Sequence, residues 1–335
     1  MKRINSLDIL RAFGIIFMIL GHIITFSGKF DRYIHTFHMP LFFVISGYLY
    51  KDKRRTPIYK LVLYKVKRFL LPYVTFAVIN YVMWLLIVRI EQKWYEPLIR
   101  LFTYNTSGLP ISGALWFLTA LFWTEVSYLV IDRVFSKAWL RRIIVFGISF
   151  ITCFILNNTP YRLPLTIDIG IVCVGFYEIG RIFKLDGNCL IDKIKNLRLI
   201  KRILLSILLL LANAVLAFVN DYVNIKSGWY GFVPLFWLNA LLGIMAYYII
   251  STLIDIKFNQ NSIIKRLFIL IGRGSIIYMS FNQLLIIIAR DVLGFIKNNW
   301  IQSIFIFLIV MCILSLLYYF LSKVKCKLVK NIFGL

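Results

Sequence analysis

Apolar residues recur along this chain in blocks of about 20, the length that ~30 Å of hydrocarbon requires of a helix rising about 1.5 Å per residue. Such windows fall at residues 7–26, 35–51, 69–90, 112–131, 142–158, 163–183, 202–220, 229–251, 267–289 and 300–322. They predict an all-α polytopic membrane protein of about ten transmembrane helices. The windows at 35–51 and 142–158 are the shortest. No repeat, low-complexity tract or long linker divides the chain, so residues 1–335 read as a single domain. Polar residues interrupt the pattern most sharply in the first window, at Asp8, Arg11 and His22.

Composition agrees with the windows. The 335 residues are 61% hydrophobic and 17% aromatic, and the mean hydropathy of +0.82 excludes an ordinary soluble domain. The formal charge of +25, from 39 Lys+Arg against 14 Asp+Glu, would suggest nucleic-acid binding in a soluble protein. Here the basic residues collect in short loops: Lys2 and Arg3, Lys51 to Arg68, Arg133 to Arg142, Arg181 to Arg202, Lys257 to Arg266, and Lys323 to Lys330. The positive-inside rule puts these loops and both termini in the cytoplasm, and no nucleic-acid partner is expected. The longest outer loop, about residues 91–111, holds Trp94, Tyr95 and Tyr104, suited to anchoring at the interface or to stacking on a sugar. Lys2 and Arg3 before an apolar stretch resemble the start of a signal peptide. Asp8 and Arg11 would break its apolar region and no small-residue cleavage site follows, so the segment is expected to remain as a span. The cysteines Cys153, Cys173, Cys189, Cys312 and Cys326 form no C-x-x-C pair and have no histidine at zinc-like spacing, so neither a metal nor a redox site is expected.

A charge near the bilayer centre costs of order +2.5 to +3.5 kcal/mol on insertion scales, so the polar residues of the first window imply a protein interior or an aqueous cavity. At 100° per residue, Arg11 and His22 lie on nearly one line of the helix, with Asp8 one turn from Arg11. Along the axis Arg11 and His22 are about 16 Å apart, so they act at different depths, Arg11 toward the cytoplasm. His22, His35 and His38 are the only histidines, all around the first outer turn. An imidazole titrates near neutrality and can take a proton from a hydroxyl, which makes His22 the leading general base. A histidine hydrogen-bonded between helices, and a structural Asp8–Arg11 ion pair, are the plainer alternatives. In the second window Pro40 suits a helix's first turn, while Ser46 and Gly47 offer a small surface for close helix approach or for substrate contact.

The combination Leu7-Asp8, Arg11-x10-His22, Phe37-His38-Met39-Pro40-Leu41-Phe42-Phe43, Ser46-Gly47-Tyr48 and Leu115-Trp116-Phe117-Leu118 resembles the acyltransferase-3 family of integral membrane acyltransferases. Within it the chain looks closest to the fucose 4-O-acetylase-like branch. The resemblance implies an enzyme of the bacterial cytoplasmic membrane that moves an acetyl group from cytoplasmic acetyl-CoA to a hydroxyl of a capsule, exopolysaccharide or O-antigen sugar. It implies Arg11 and His22 as the catalytic pair with Asp8, and His38, Ser46 and Trp116 as substrate-binding residues; the ordering by depth adds Arg273 and Asn282 as substrate-binding residues. Its partners would be acyl-CoA, a glycan or lipid-linked sugar, and membrane lipids. One departure stands out. Where many relatives place a histidine in the ninth span, Gly272-Arg273-Gly274-Ser275-Ile276-Ile277-Tyr278 here leads to Asn282-Gln283.

The mechanism expected from these depths has Arg11 and Arg273 pairing with CoA phosphates and the pantetheine arm reaching His22. His22 deprotonates the acceptor, with Asn282 or a backbone N–H stabilising the oxyanion, or is itself transiently acetylated. The rival class is a transporter or flippase for a lipid-linked glycan. It is disfavoured because the polar residues concentrate on the first two windows and no paired repeat is present. A non-catalytic assembly subunit would need no charged stripe in hydrocarbon.

Overall fold

Hydrocarbon offers no partners to backbone N–H and C=O groups, so apolar windows satisfy them internally as helices. The computed structural model describes residues 4–23, 28–52, 54–87, 93–107, 113–187, 194 and 196–334; Lys2, Arg3 and Cys189 lie outside the described residues. The elements are α1 (Asn5–His22), α2 (Lys29–His35), α3 (His38–Tyr48), α4 (Ile58–Lys65), a π-helical turn (Val66–Leu70), α5 (Leu71–Ile87), α6 (Tyr95–Phe102) and α7 (Trp116–Val134). They continue as α8 (Ala138–Asn158), α9 (Ile167–Leu185), α10 (Leu199–Val219), α11 (Val233–Lys257), α12 (Ile263–Arg273), α13 (Ser275–Val292), α14 (Asn299–Lys323) and α15 (Lys327–Ile332). Among the described residues no strand forms beyond an isolated bridge between Asn224 and Trp229.

Among the described residues, seven helices are long and apolar enough to cross a membrane: α1, the continuous run Ile58–Leu86, α8, α10, α11, α13 and α14. The other windows depart from the expectation for physical reasons. The second yields α3, 11 residues, about 17 Å and half a bilayer. α7 and α9 are 19 residues each, but Glu125, Asp132 and Arg133 on one, and Asp168, Glu178, Arg181 and Lys184 on the other, mark them as helices sheltered by neighbours. The window at 267–289 is not one helix: it breaks at Gly274, where a Cβ would press on the rings of Tyr318 and Tyr278.

α1 and α11 bury 56% of their apolar windows and form the centre, whereas α14 buries 17% and lies at the rim. α1 packs against α3, α11, α12 and α13; α3 packs on α9, which in turn contacts α7 and α8. Glycines permit the closest crossings. A Cβ at Gly47 would overlap the Tyr177 carbonyl, one at Gly180 the Val44 carbonyl, and one at Gly272 the Asp8 carbonyl. Leu204, Leu208, Phe154, Ile151, Leu308 and Phe320 stand exposed on α8, α10 and α14, an apolar girdle suited to lipid.

Charge is not confined to the first two windows, contrary to expectation. Asp132 of α7 accepts from Arg181 Nη1 at 2.8 Å and forms an ion pair with Arg141 Nη1 at 3.1 Å, and Arg141 Nη2 lies 3.7 Å from Glu178. Tyr50 donates to Asp132 at 2.9 Å and Tyr128 to Glu178. This network pins α7, α8 and α9 together. It escaped the hydropathy reading because its members sit at window edges among loop charges.

Candidate active site

One face of α1 carries polar groups at both ends. At the first end Asp8 is buried, and its two oxygens accept from Arg11 Nη1 at 3.3 Å and from Arg273 Nε at 3.2 Å. The i, i+3 spacing foretold the first pair. The second exists because Gly272, lacking a side chain, lets α12 lie directly on the α1 backbone at Asp8. Arg11 and Ser46 border two cavities of about 150 and 210 Å³, and both also touch Arg68. Arg68 belongs to the π-helical turn, an irregularity common at functional sites. It further lines an open hollow of about 570 Å³ with Lys67, Lys327 and Lys330. Guanidinium and ammonium groups thus converge here with more positive charge than the neighbouring Asp8 and Glu125 balance, a setting for a polyanion. Part of that balance is Lys65, which pairs with Glu125.

The other end of α1 opens on a cavity of about 240 Å³ lined by His22, His35, His38, Trp116, Lys226 and Gln283. Phe117 and Met279 line both this cavity and the 150 Å³ chamber beside Arg11, so the two are adjacent across these side chains. The imidazoles differ in what they offer. Gln283 accepts from the Gly113 N–H at 2.5 Å through Oε1, which turns its amide nitrogen toward His22 Nδ1 at 3.3 Å. A neutral His22 so held carries its proton on Nε2. His38 Nδ1 donates to the Ile34 carbonyl at 2.8 Å. His35 Nδ1 donates to the Asp31 backbone oxygen at 2.9 Å, and the carboxylate Oδ1 of Asp31 lies 3.0 Å from the same nitrogen. Both rings therefore keep a free lone pair on Nε2.

Asp31 also accepts from the Tyr222 hydroxyl at 2.7 Å. Burial pushes its carboxyl up, but the hydrogen bonds from His35 and Tyr222 and the charge of His35 outweigh that and hold it below the usual carboxylate range. Half-buried Lys226, on the loop between α10 and α11, has its amine drawn below the ordinary lysine range by burial. Trp116, at the start of α7, is fixed through its carbonyl, which accepts from Thr119 at 2.8 Å and Thr166 at 3.2 Å. Among the described residues no three His, Cys, Asp or Glu side chains are arranged to hold a metal ion.

Of the residues singled out in the sequence, Asp8, Arg11, Arg273 and Ser46 meet at one end of α1, and His22, His38 and Trp116 at the other. Asn282 joins neither. It is buried, and its amide nitrogen bonds back to the Tyr278 and Met279 carbonyls of its own helix. The side chain that reaches His22 is Gln283, one residue and 100° further round α13. His35, Asp31, Lys226 and Arg68 were also missed. For His35 a signal existed, since it precedes His38 by three residues. For the others, nothing local marked them.

No curated protein and no solved structure matches the chain. The family model described as an acyltransferase domain, Acyl_transf_3, matches residues 4–320, nearly the whole chain. With its apolar helices and the polar face of α1, the protein belongs to the acyltransferase-3 family and is a multi-pass membrane acyltransferase.

Proposed function

We propose that this enzyme moves an acetyl group from cytoplasmic acetyl-CoA to a hydroxyl of a bacterial surface glycan, as a fucose 4-O-acetylase-like member of the family in the cytoplasmic membrane. The observation that carries the reading is the pair of chambers on one face of α1. One is lined by arginines and the other by imidazoles, with Phe117 and Met279 common to both. In this reading both termini are cytoplasmic. α7 and α9 cross within the protein, and α3 enters the membrane part way, which brings the crossing segments to about ten.

The nucleotide end of CoA sits among Arg11, Arg68 and Arg273, where bidentate guanidinium groups suit phosphate. The pantetheine arm runs past Phe117 and Met279, and the thioester lies beside His22. The glycan hydroxyl enters from the opposite side, against Trp116. Its oxygen attacks the thioester carbonyl, the C–S bond breaks, and CoA leaves as the thiol while an imidazole of the cluster carries the proton between them. Because Gln283 occupies His22 Nδ1, direct attack is favoured over an acetyl-imidazole intermediate.

The test is purified protein in lipid nanodiscs with labelled acetyl-CoA and glycan from a strain lacking the gene. The expected outcome is CoA release that depends on glycan, with label in the glycan. His22→Ala should cut it at least about 100-fold at unchanged protein level. Wild-type protein that releases no CoA would remove acetyl-CoA and this glycan as its substrates.

A further inference from the structure

Three imidazoles share one cavity, yet only one of them is built to gain a charge. His22 presents Nε2–H, because its Nδ1 faces the Gln283 amide nitrogen. His38 has a lone pair on Nε2, but its ring is 5% exposed and backed only by the Ile34 carbonyl. The one carboxylate that acts on it, Asp31, does so from a distance and touches His35 instead. His35 has the same free lone pair, is 23% exposed on the side from which a hydrophilic acceptor would come, and is backed by a carboxylate, Asp31, at 3.0 Å. Asp31 is in turn braced by Tyr222, whose ring lies 5.4 Å from that of His35. The pair lies against α1 at Gly21, where a Cβ would be in ordinary contact with the Asp31 carboxylate at 3.4 Å.

We propose that His35, oriented by Asp31, is the catalytic base that takes the acceptor's proton, and that His22 acts from the other side of the cavity as a hydrogen-bond donor to the thioester oxygen. The inference rests on the acyl-transfer reading above. In the step, the acceptor O–H bond breaks as the oxygen forms its bond to the acyl carbon, and the proton goes to His35 Nε2. The thioester C–S bond then breaks, and the same proton neutralises the departing CoA thiolate, which restores His35. Asp31 is a positioning residue. It fixes the tautomer and stabilises the imidazolium, as a carboxylate behind a catalytic histidine does elsewhere.

The groups facing His35 are Asp31 on its own helix, His22 of α1, His38 of α3, and Tyr222 and Lys226 of the loop between α10 and α11. Any pH profile of the pair is read against all five.

The experiment uses full-length protein in nanodiscs, labelled acetyl-CoA, and two acceptors: glycan from a strain lacking the gene, and hydroxylamine. Hydroxylamine attacks as a neutral nucleophile and depends little on a base. His35→Gln is expected to lose at least about 100-fold with glycan and less than about tenfold with hydroxylamine, the gap being what general-base catalysis supplies. Asp31→Asn should lower the glycan rate at least about tenfold and move the acid limb of its pH profile. His22→Gln, which keeps an N–H donor, should retain at least about ten times the activity of His22→Ala. Active wild type with His35→Gln and Asp31→Asn within about twofold of it on both acceptors would overturn the assignment. So would equal losses on both acceptors, or His22→Gln as dead as His22→Ala. Each of these leaves the acyl-transfer reading standing, whereas wild type that uses no acetyl-CoA removes that reading itself.

Discussion

At the scale of single residues, the polar face of α1 was legible because helical spacing alone puts Asp8, Arg11 and His22 in line. What each side chain touches was not. Arg273 is remote in sequence and reaches Asp8 only because α12 lies against α1. The choice between Asn282 and Gln283 turns on a 100° rotation of α13, which no local pattern specifies. Arg11 holds a buried carboxylate and also borders both chambers at its end of α1, so its role is argued from charge. Arg11→Ala should raise the KM for acetyl-CoA about ten- to hundredfold, as loss of a charged hydrogen bond of about 1.5–3 kcal/mol would, with a smaller change in kcat. Steady-state kinetics at saturating glycan measures this, and an unchanged KM would remove Arg11 from the donor site.

At the scale of elements, hydropathy located the long apolar helices, while α7 and α9, which carry charge, and the short α3 depend on their neighbours. α3 is too short to span, and its place is set by contact with α9, where Gly47 and Gly180 let backbone meet backbone. A methyl at such a point cannot be relieved by rotating a side chain. Gly47→Ala should therefore cost about 1–3 kcal/mol, the usual cost of overpacking, and lower the thermal midpoint of the purified protein. Gly147 on α8 is the contrast: nothing lies within 4 Å of its would-be Cβ. Gly147→Ala should leave the midpoint unchanged or raise it slightly, since alanine favours a helix by up to about 1 kcal/mol. Equal effects at the two positions would mean that the α3–α9 crossing is not close in solution.

At the scale of the whole molecule, the proposed orientation sets the Lys67, Lys327 and Lys330 hollow inside and the histidine cavity outside. With the native cysteines replaced, Lys330→Cys should react with an impermeant maleimide only from the cytoplasmic face. Asp221→Cys, exposed next to the histidine cavity's loop, should react only from the outer face. Labelling of both from one side would overturn the orientation. The network of Asp132, Arg141, Glu178 and Arg181 belongs to this scale too. Removal of one member of a buried ion pair costs about 3–5 kcal/mol, so these charges bind α7, α8 and α9 into one body only while all partners are present. The sequence by itself determined that the chain is helical and membrane-embedded, and that its first helix bears a polar stripe, because hydrocarbon and helix periodicity act on local runs of residues. Only the tertiary structure decided that Gln283 rather than Asn282 meets His22, that Asp31 backs His35, and that the arginine and histidine chambers adjoin. Those depend on how helices distant in sequence rotate and approach, which is settled by packing rather than by any local pattern.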